Sequence, residues 1–227
     1  MPHFDIVKET SPDFNNFRVA SVQGMFDLQH EAIKEHFVGN LDIENLDWNI
    51  GIIYGASGTG KSTIARELFG KENFFNGDYK QKSVIEDMPN LPVKDICQMF
   101  NSVGFSSPKS WLKPYSVLSN GEKMRVDLAN AILSNKDITI FDEYTSVVNR
   151  EVAKVGSFAL QKAIRKANKK FIAVSCHDDI IDWLEPDWVF CTDNMQFSVC
   201  KKKDQKLTLT FLQQTTPRGA HIASITI

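Results

Sequence analysis

The sequence predicts an α/β fold built on a buried parallel sheet whose central strand feeds a phosphate-binding loop. Three observations predict it. An apolar run, Ile50–Tyr54, leads into Gly55-Ala56-Ser57-Gly58-Thr59-Gly60-Lys61-Ser62-Thr63 and then a helical stretch, Ile64–Gly70, the strand–turn–helix context that a Walker A loop requires. Two further short apolar runs, Asp137–Glu143 and Phe171–His177, end in acids and in a histidine, as strands buried on both faces do when chemistry sits at one end. Between them, roughly residues 150–168, an apolar face of Val152, Val155, Ala159 and Ala163 beside Leu160, Ile164 and Ala167 opposes a Lys/Arg-rich one, the signature of a helix packed on a sheet.

Taken in order, residues 1–16 are polar with Pro2 and Pro12 and read as a loosely held lead-in. Phe17–Phe26 shows partial alternation and is expected to be the first strand, with His36–Ile43 pairing beside it in an antiparallel flap. After the Walker A helix, Met88-Pro89-Asn90-Leu91-Pro92 punctuates the chain. A helical spacing then returns through Val93, Ile96, Cys97, Phe100 and Val103 before Gly104, Pro108 and Pro114. Residues 78–134 read as a helical insert. Asp187–Phe190 is a fourth strand, and Gln196–Cys200 with Leu207–Leu212 reads as a terminal hairpin. The whole of 1–227 is one domain, with core and flap at 17–77 and 135–212.

Composition narrows the class. At 227 residues and 42% hydrophobic the chain can bury a full core. A net charge of −2 gives no global reason to expect nucleic acid or an anionic membrane; the basic end of the helix at Lys162–Lys170 is read first as a solvated face near a C-terminal dipole, with a nucleic-acid patch as the alternative. Cys97, Cys176, Cys191 and Cys200 form no C-x-x-C pair, and no secretory segment opens the chain, so reduced thiols in a cytoplasmic protein are expected. No apolar run approaches the ~18 residues of a membrane span.

The chemistry of the glycine-rich loop follows from its residue types. Gly55, Gly58 and Gly60 let backbone amides turn inward into an anion nest at a helix N-terminus. Lys61 reaches the β- and γ-phosphates of a nucleotide, and the Ser62 hydroxyl is a ligand for Mg²⁺. Asp142 and Glu143 stand at a strand end downstream, the place where P-loop nucleotidases keep their metal and base carboxylates; that likeness implies Asp142 as the holder of Mg²⁺ and Glu143 as the group that polarises the attacking water, the alternative being acids that merely cap a strand. Ser119, Asn120 and Gly121 open another helix, Glu122–Leu133, offering a hydroxyl and free amides to an anion.

Tyr115-Ser116-Val117-Leu118-Ser119-Asn120-Gly121-Glu122-Lys123-Met124-Arg125, lying between these two motifs, closely resembles the signature sequence of the ABC ATPases. The resemblance implies a P-loop NTPase with an ABC-type core sheet, an N-terminal antiparallel β flap and an inserted helical subdomain. It implies that Ser119, Asn120, Gly121 and Glu122 meet the γ-phosphate held by a second copy, and that His177 is the switch histidine. Ser146-Val147-Val148-Asn149 takes the place of the D-loop, with Asn149 where the family has an acid. Gln81 is the candidate Q-loop glutamine, over Gln98, and Phe26 the candidate for stacking on adenine, although a core aromatic fits it nearly as well.

Further segments, among them Trp48-Asn49-Ile50-Gly51, Trp111-Leu112-Lys113-Pro114-Tyr115 and Trp183-Leu184-Glu185-Pro186-Asp187-Trp188, resemble bacterial and phage ABC-type ATPases associated with GNAT-type acetyltransferases. That resemblance implies an ATP- and Mg²⁺-dependent ATPase working as a homodimer that switches a separate soluble effector, acetyltransferase- or DNA-linked. The alternative is the nucleotide-binding subunit of a membrane transporter. A binding-only clamp is disfavoured by the presence of Lys61, Asp142, Glu143 and His177 together.

Overall fold

The computed structural model describes residues 3–29 and 33–200. Its centre is a five-stranded sheet in the order β4-β5-β3-β6-β7, where β3 is Ile50–Tyr54, β4 Ile138–Phe141, β5 Lys170–Ser175, β6 Trp188–Cys191 and β7 Gln196–Val199. β3 pairs in parallel with β5 and β6, and β5 with β4. β7 closes the edge antiparallel to β6, so the terminal hairpin forms between β6 and β7; the expected partner strand, 207–212, lies outside the described residues.

Alternation along β3 sorts the core into two halves. Ile50 and Ile52 face a cluster with Phe171, Ala173, Phe100, Leu128 and Leu160, whereas Ile53 faces the other with Ile172, Val174, Trp188 and Phe190. The first half is covered by α3 (Val93–Ser102), α5 (Asn120–Leu133) and α6 (Arg150–Ala167), joined by the short α4 (Pro108–Trp111). The buried stripe of α6 is Ala153, Gly156, Leu160, Ala163 and Ile164. Val155, expected on that stripe, is 60% exposed. The second half is covered by α2 (Lys61–Phe69) and by an N-terminal ribbon.

That ribbon is the expected antiparallel flap, built from a different first strand. The flap is β1 (His3–Thr10) paired antiparallel with β2 (Ile33–Asn40), His3 opposite Asn40 and Thr10 opposite Ile33. The lead-in is therefore a strand, because Phe4 can bury its ring edge-on against Phe190 at 5.7 Å while β2 satisfies its backbone. Residues Phe17–Phe26, expected as a strand, form a helix, α1. Local hydrogen bonding decides it: the Asn16 side chain accepts from Arg18 N at 3.0 Å as N-cap, and Asp27 ends the helix in the left-handed region. α1 buries none of its residues, so no sheet face was available to favour the extended form.

Candidate nucleotide-binding and hydrolysis site

The loop 55–60 leaves β3 with Gly55, Gly58 and Gly60 at φ of 153°, 84° and 83°, backbone that only glycine adopts without strain. Gly60 caps α2 and has no side chain to accept from the first amides of the helix. Those of Lys61, Ser62 and Thr63 are orphan donors pointing out of a helix N-terminus, the physical requirement for a phosphate seat. Lys61 is buried, and its ammonium donates to Ala56 O at 2.6 Å, bridging the mouth of its own loop.

Two residues that sequence reasoning missed hold this loop from below. Thr192 and Asp193 follow β6: Ala56 N donates to Asp193 Oδ1 at 2.8 Å, and the Thr59 and Thr192 hydroxyls share a hydrogen bond of 2.6 Å. Thr192 is also tied to Tyr54 O through its backbone amide and its hydroxyl. The available signal was the one used for Asp142-Glu143, polar residues directly after a buried strand. From the ribbon, Phe37 of β2 packs so closely on the loop that a Cβ at Gly60 would lie 2.4 Å from its ring.

The structure brings the metal candidates together: Ser62 Oγ donates to Asp142 Oδ1 at 2.8 Å. A hydroxyl and a carboxylate in contact beside a phosphate seat fit Mg²⁺, which takes one or two protein oxygens and completes its shell from substrate phosphates and water. Among the described residues no group of three or more His, Cys, Asp or Glu could hold a metal ion. Glu143 is exposed in the left-handed conformation, φ 52°, and its carboxylate accepts from Ser146 Oγ at 2.7 Å. His177 is half-buried two residues past β5, its amide donating to Ser175 Oγ at 3.1 Å.

Ser119 is the N-cap of α5 in a complete capping box with Glu122. The Glu122 carboxyl is held below its usual range, first by the Ser119 backbone amide and then by the Ser110 and Ser119 hydroxyls. Asn120 Nδ2 reaches Val147 O at 3.3 Å, tying the turn that opens α5 to the segment before α6. Asn149, the departure from the family pattern, caps α6 by accepting from Val152 N at 2.9 Å; an Asn meets that need as well as an Asp.

Two further candidates lie outside the sheet. Phe26 ends a helix, not a strand, and is 69% exposed. Gln81 is exposed in an irregular segment, with its amide, like that of Lys80, donating to Asp87 Oδ1. Gln98 lies within α3.

No protein-family model matches the chain. It is 28% identical over 166 residues to a probable metal transport system ATP-binding protein of Thermotoga maritima, spanning 63% of this chain and 68% of that one. It is 25% identical over 177 residues to the energy-coupling factor transporter ATP-binding protein EcfA of Aster yellows witches'-broom phytoplasma, 61% and 63% of the two chains. Elongation factor 3 of Gonapodya prolifera matches at 29% over 156 residues, only 14% of its length and 56% of this chain. Among solved structures, a dimeric ATP-binding cassette in a post-hydrolysis state with ADP and phosphate superposes with a TM-score of 0.58 at 13% identity, covering 78% of this chain and 95% of its own. The ADP conformation of a cassette from an ABC transporter gives 0.52 at 14%, covering 74% and 82%. The chain has the fold, the motif order and the sequence relationships of an ABC-type ATPase nucleotide-binding domain.

Proposed function

We propose that this chain hydrolyses ATP as one half of a nucleotide-sandwich dimer and serves as the nucleotide-binding subunit of a membrane transporter. The observation that carries the chemistry is the Ser62–Asp142 contact beside the orphan amides of α2, with Glu143 the next residue. In this reading the amides of 61–63 and Lys61 seat the β- and γ-phosphates. Ser62 and Asp142 would hold Mg²⁺, which neutralises charge on the phosphate oxygens as the bond to the γ-phosphoryl breaks. Glu143 orients the attacking water and His177 donates to the γ-phosphoryl, while Ser119–Gly121 of a second copy closes the other side.

Relatives named for metal transport and for an energy-coupling factor transporter support the transport reading, and the dimeric cassette among the structural neighbours supports the sandwich. The expectation of a soluble effector, acetyltransferase- or DNA-linked, has no support among these relatives. Elongation factor 3 is the one named here for something other than transport, and it keeps a non-transport role as the second reading. No helix among the described residues is long and apolar enough to cross a membrane, so docking on a separate membrane subunit from the cytoplasmic side is part of the proposal.

The test is the solution mass of Glu143→Gln with ATP·Mg²⁺, with ADP and without nucleotide. A dimer with ATP alone is expected; a monomer in all three states overturns the autonomous sandwich. Fractionating source cells that carry a tagged chain separates the two roles. Recovery with the membrane fraction supports transport, and recovery in the soluble fraction supports the second reading.

A further inference from the structure

The turn after β4 is held in a conformation that the local sequence does not favour. Glu143 and Thr145 have φ of 52° and 68°, and a β-branched residue in the left-handed region is an outlier that persists only where its surroundings over-determine it. Two sets of contacts do so. Tyr144, fully buried between them, donates from its amide to Val174 O at 2.8 Å, shares a 2.8 Å hydrogen bond with Ser157 on α6, and accepts at its carbonyl from Ser175 Oγ at 3.0 Å. Thr145 is itself buried, and its hydroxyl accepts from Arg150 Nη1 at 3.2 Å.

Arg150 continues past Thr145 to the loop after β5. Its Nε donates to Asp179 Oδ2 at 2.9 Å and its Nη2 to Asp179 Oδ1, a two-point contact, while the guanidinium carbon sits 4.7 Å from the centre of the Trp183 ring on α7 (Ile180–Leu184). The Glu143 turn and the His177 loop are therefore joined twice. Ser175 Oγ links Tyr144 O to His177 N on one side, and Arg150 links Thr145 to Asp179 on the other. Only a planar fork can meet a carboxylate at two points, donate to a third oxygen and stack on an indole at once.

We propose that Arg150 and Asp179 are positioning residues for ATP hydrolysis: their clasp fixes the Glu143 turn against the His177 loop, so that both groups meet the γ-phosphoryl with one set separation. The proposal rests on the roles given above to Glu143 and His177. Neither Arg150 nor Asp179 touches nucleotide in this scheme. Because Arg150 is the first residue of α6 and the segment 146–149 runs directly into it, a contact made by the partner copy at 146–149 would reach both groups through the same guanidinium.

The experiment compares Arg150→Ala, Arg150→Lys, Asp179→Asn and the Arg150→Ala/Asp179→Asn double variant with wild type in steady-state ATP hydrolysis. Expected is a fall in kcat of roughly tenfold or more, the scale of a sub-ångström to ångström misplacement, with KM for ATP·Mg²⁺ within about twofold. Arg150→Lys should fall almost as far as alanine, since charge without the fork does not restore the clasp. The double variant should be no slower than the worse single one, as for two residues acting through one contact. Retained kcat in a folded Arg150→Ala, full rescue by lysine, or a rise in KM alone would each overturn it. If Arg150→Ala does not fold, Asp179→Asn carries the same test. Glu143→Gln and His177→Ala run in parallel: wild-type turnover in both would sink the assignment of the site itself, whereas their loss beside unchanged Arg150 and Asp179 variants would sink only the clasp.

Discussion

Ser62 Oγ and Asp142 Oδ1 meet at 2.8 Å although they lie 80 positions apart in the sequence. The contact brings the helix that begins the phosphate seat against the end of β4, and it orders the roles of both. Asp142→Asn keeps the volume and an acceptor for Ser62 but removes the charge that would hold Mg²⁺. Its kcat should fall by roughly 10²-fold or more, while nucleotide affinity in the presence of a chelator should stay within about twofold. Phosphate release across a Mg²⁺ titration, beside fluorescent-nucleotide binding with the chelator, separates the two; unchanged turnover would remove Asp142 from the metal site.

Ser119 has a structural task and, in the proposed dimer, a functional one, and substitutions can tell them apart. As N-cap it stabilises α5 through Glu122 N and through the box with the Glu122 carboxylate. Ser119→Thr keeps the cap and should leave the melting temperature nearly unchanged. Ser119→Arg loses it, at about 1 kcal/mol, and also fills the place where a second copy's phosphate would sit. Turnover should then vanish while the monomer's ATP affinity is retained. Measured side by side, melting and hydrolysis should diverge: a loss of activity no larger than the stability loss explains would point to capping as the sole role of Ser119. Because the Glu122 carboxyl is depressed below its ordinary value of 4.5, the box is intact above that pH and is lost only as pH falls through the lower folded value.

The parts of the site that were legible in the sequence are those where chemistry dictates residue type at fixed spacing. Gly55–Thr63, Asp142-Glu143 and Ser119–Gly121 could be placed on strand ends and helix starts because a phosphate seat needs glycine, orphan amides and a nearby carboxylate in that order. What could not be read depends on contacts remote in sequence. Thr192 and Asp193 support the loop from a strand end more than 130 residues away, and their place directly after a buried strand, the one local signal, does not say which loop they meet. The antiparallel flap is present, but which segment supplies its first strand was not legible, for a related reason. Partial alternation in Phe17–Phe26 pointed to a strand, but a strand needs a neighbour, and β1 and β2 had already paired with each other across the intervening residues. The Asn16 cap was the better local signal.

Gly51 shows how a core position can be constrained by a distant ring. It lies within β3, opposite Trp188 of β6, and a Cβ built there would stand 2.0 Å from the indole. Trp188 is fully buried, edge-on to Trp48 at 5.4 Å and stacked near Phe69 at 6.3 Å, so it has nowhere to move. Gly51→Ala should destabilise by about 3 kcal/mol, the upper range for overpacking, seen as a lower urea midpoint. Combining it with Trp188→Leu should cost less than the sum of the two single changes, because the leucine vacates the space that the methyl needs. Strict additivity would contradict the close approach.

Asp127 gives the fold a pH dependence of its own. It sits on α5 with Oδ2 accepting from the Tyr115 hydroxyl at 2.8 Å, beneath the stacked rings of Tyr115 and Tyr79, whose centroids are 4.0 Å apart. Burial pushes its carboxyl up to about 6; the Tyr79 and Tyr115 hydroxyls and the Lys123 ammonium, one turn earlier on the same helix, only partly offset that. Its Oδ1 is buried with no hydrogen-bond partner, which suits a protonated carboxyl better than a charged one. A folded value raised from 3.8 to about 6 means that the stabilising contribution is complete below pH 3.8 and is lost as pH rises through 6. Asp127→Asn, neutral at every pH and of the same shape, should match wild type near pH 4 and exceed it above pH 6 by roughly 3 kcal/mol at most, the product of that shift and 1.36 kcal/mol per unit. Urea unfolding of both proteins from pH 4 to pH 8 measures the difference; curves that stay parallel across that window would mean that Asp127 is charged in the folded chain throughout.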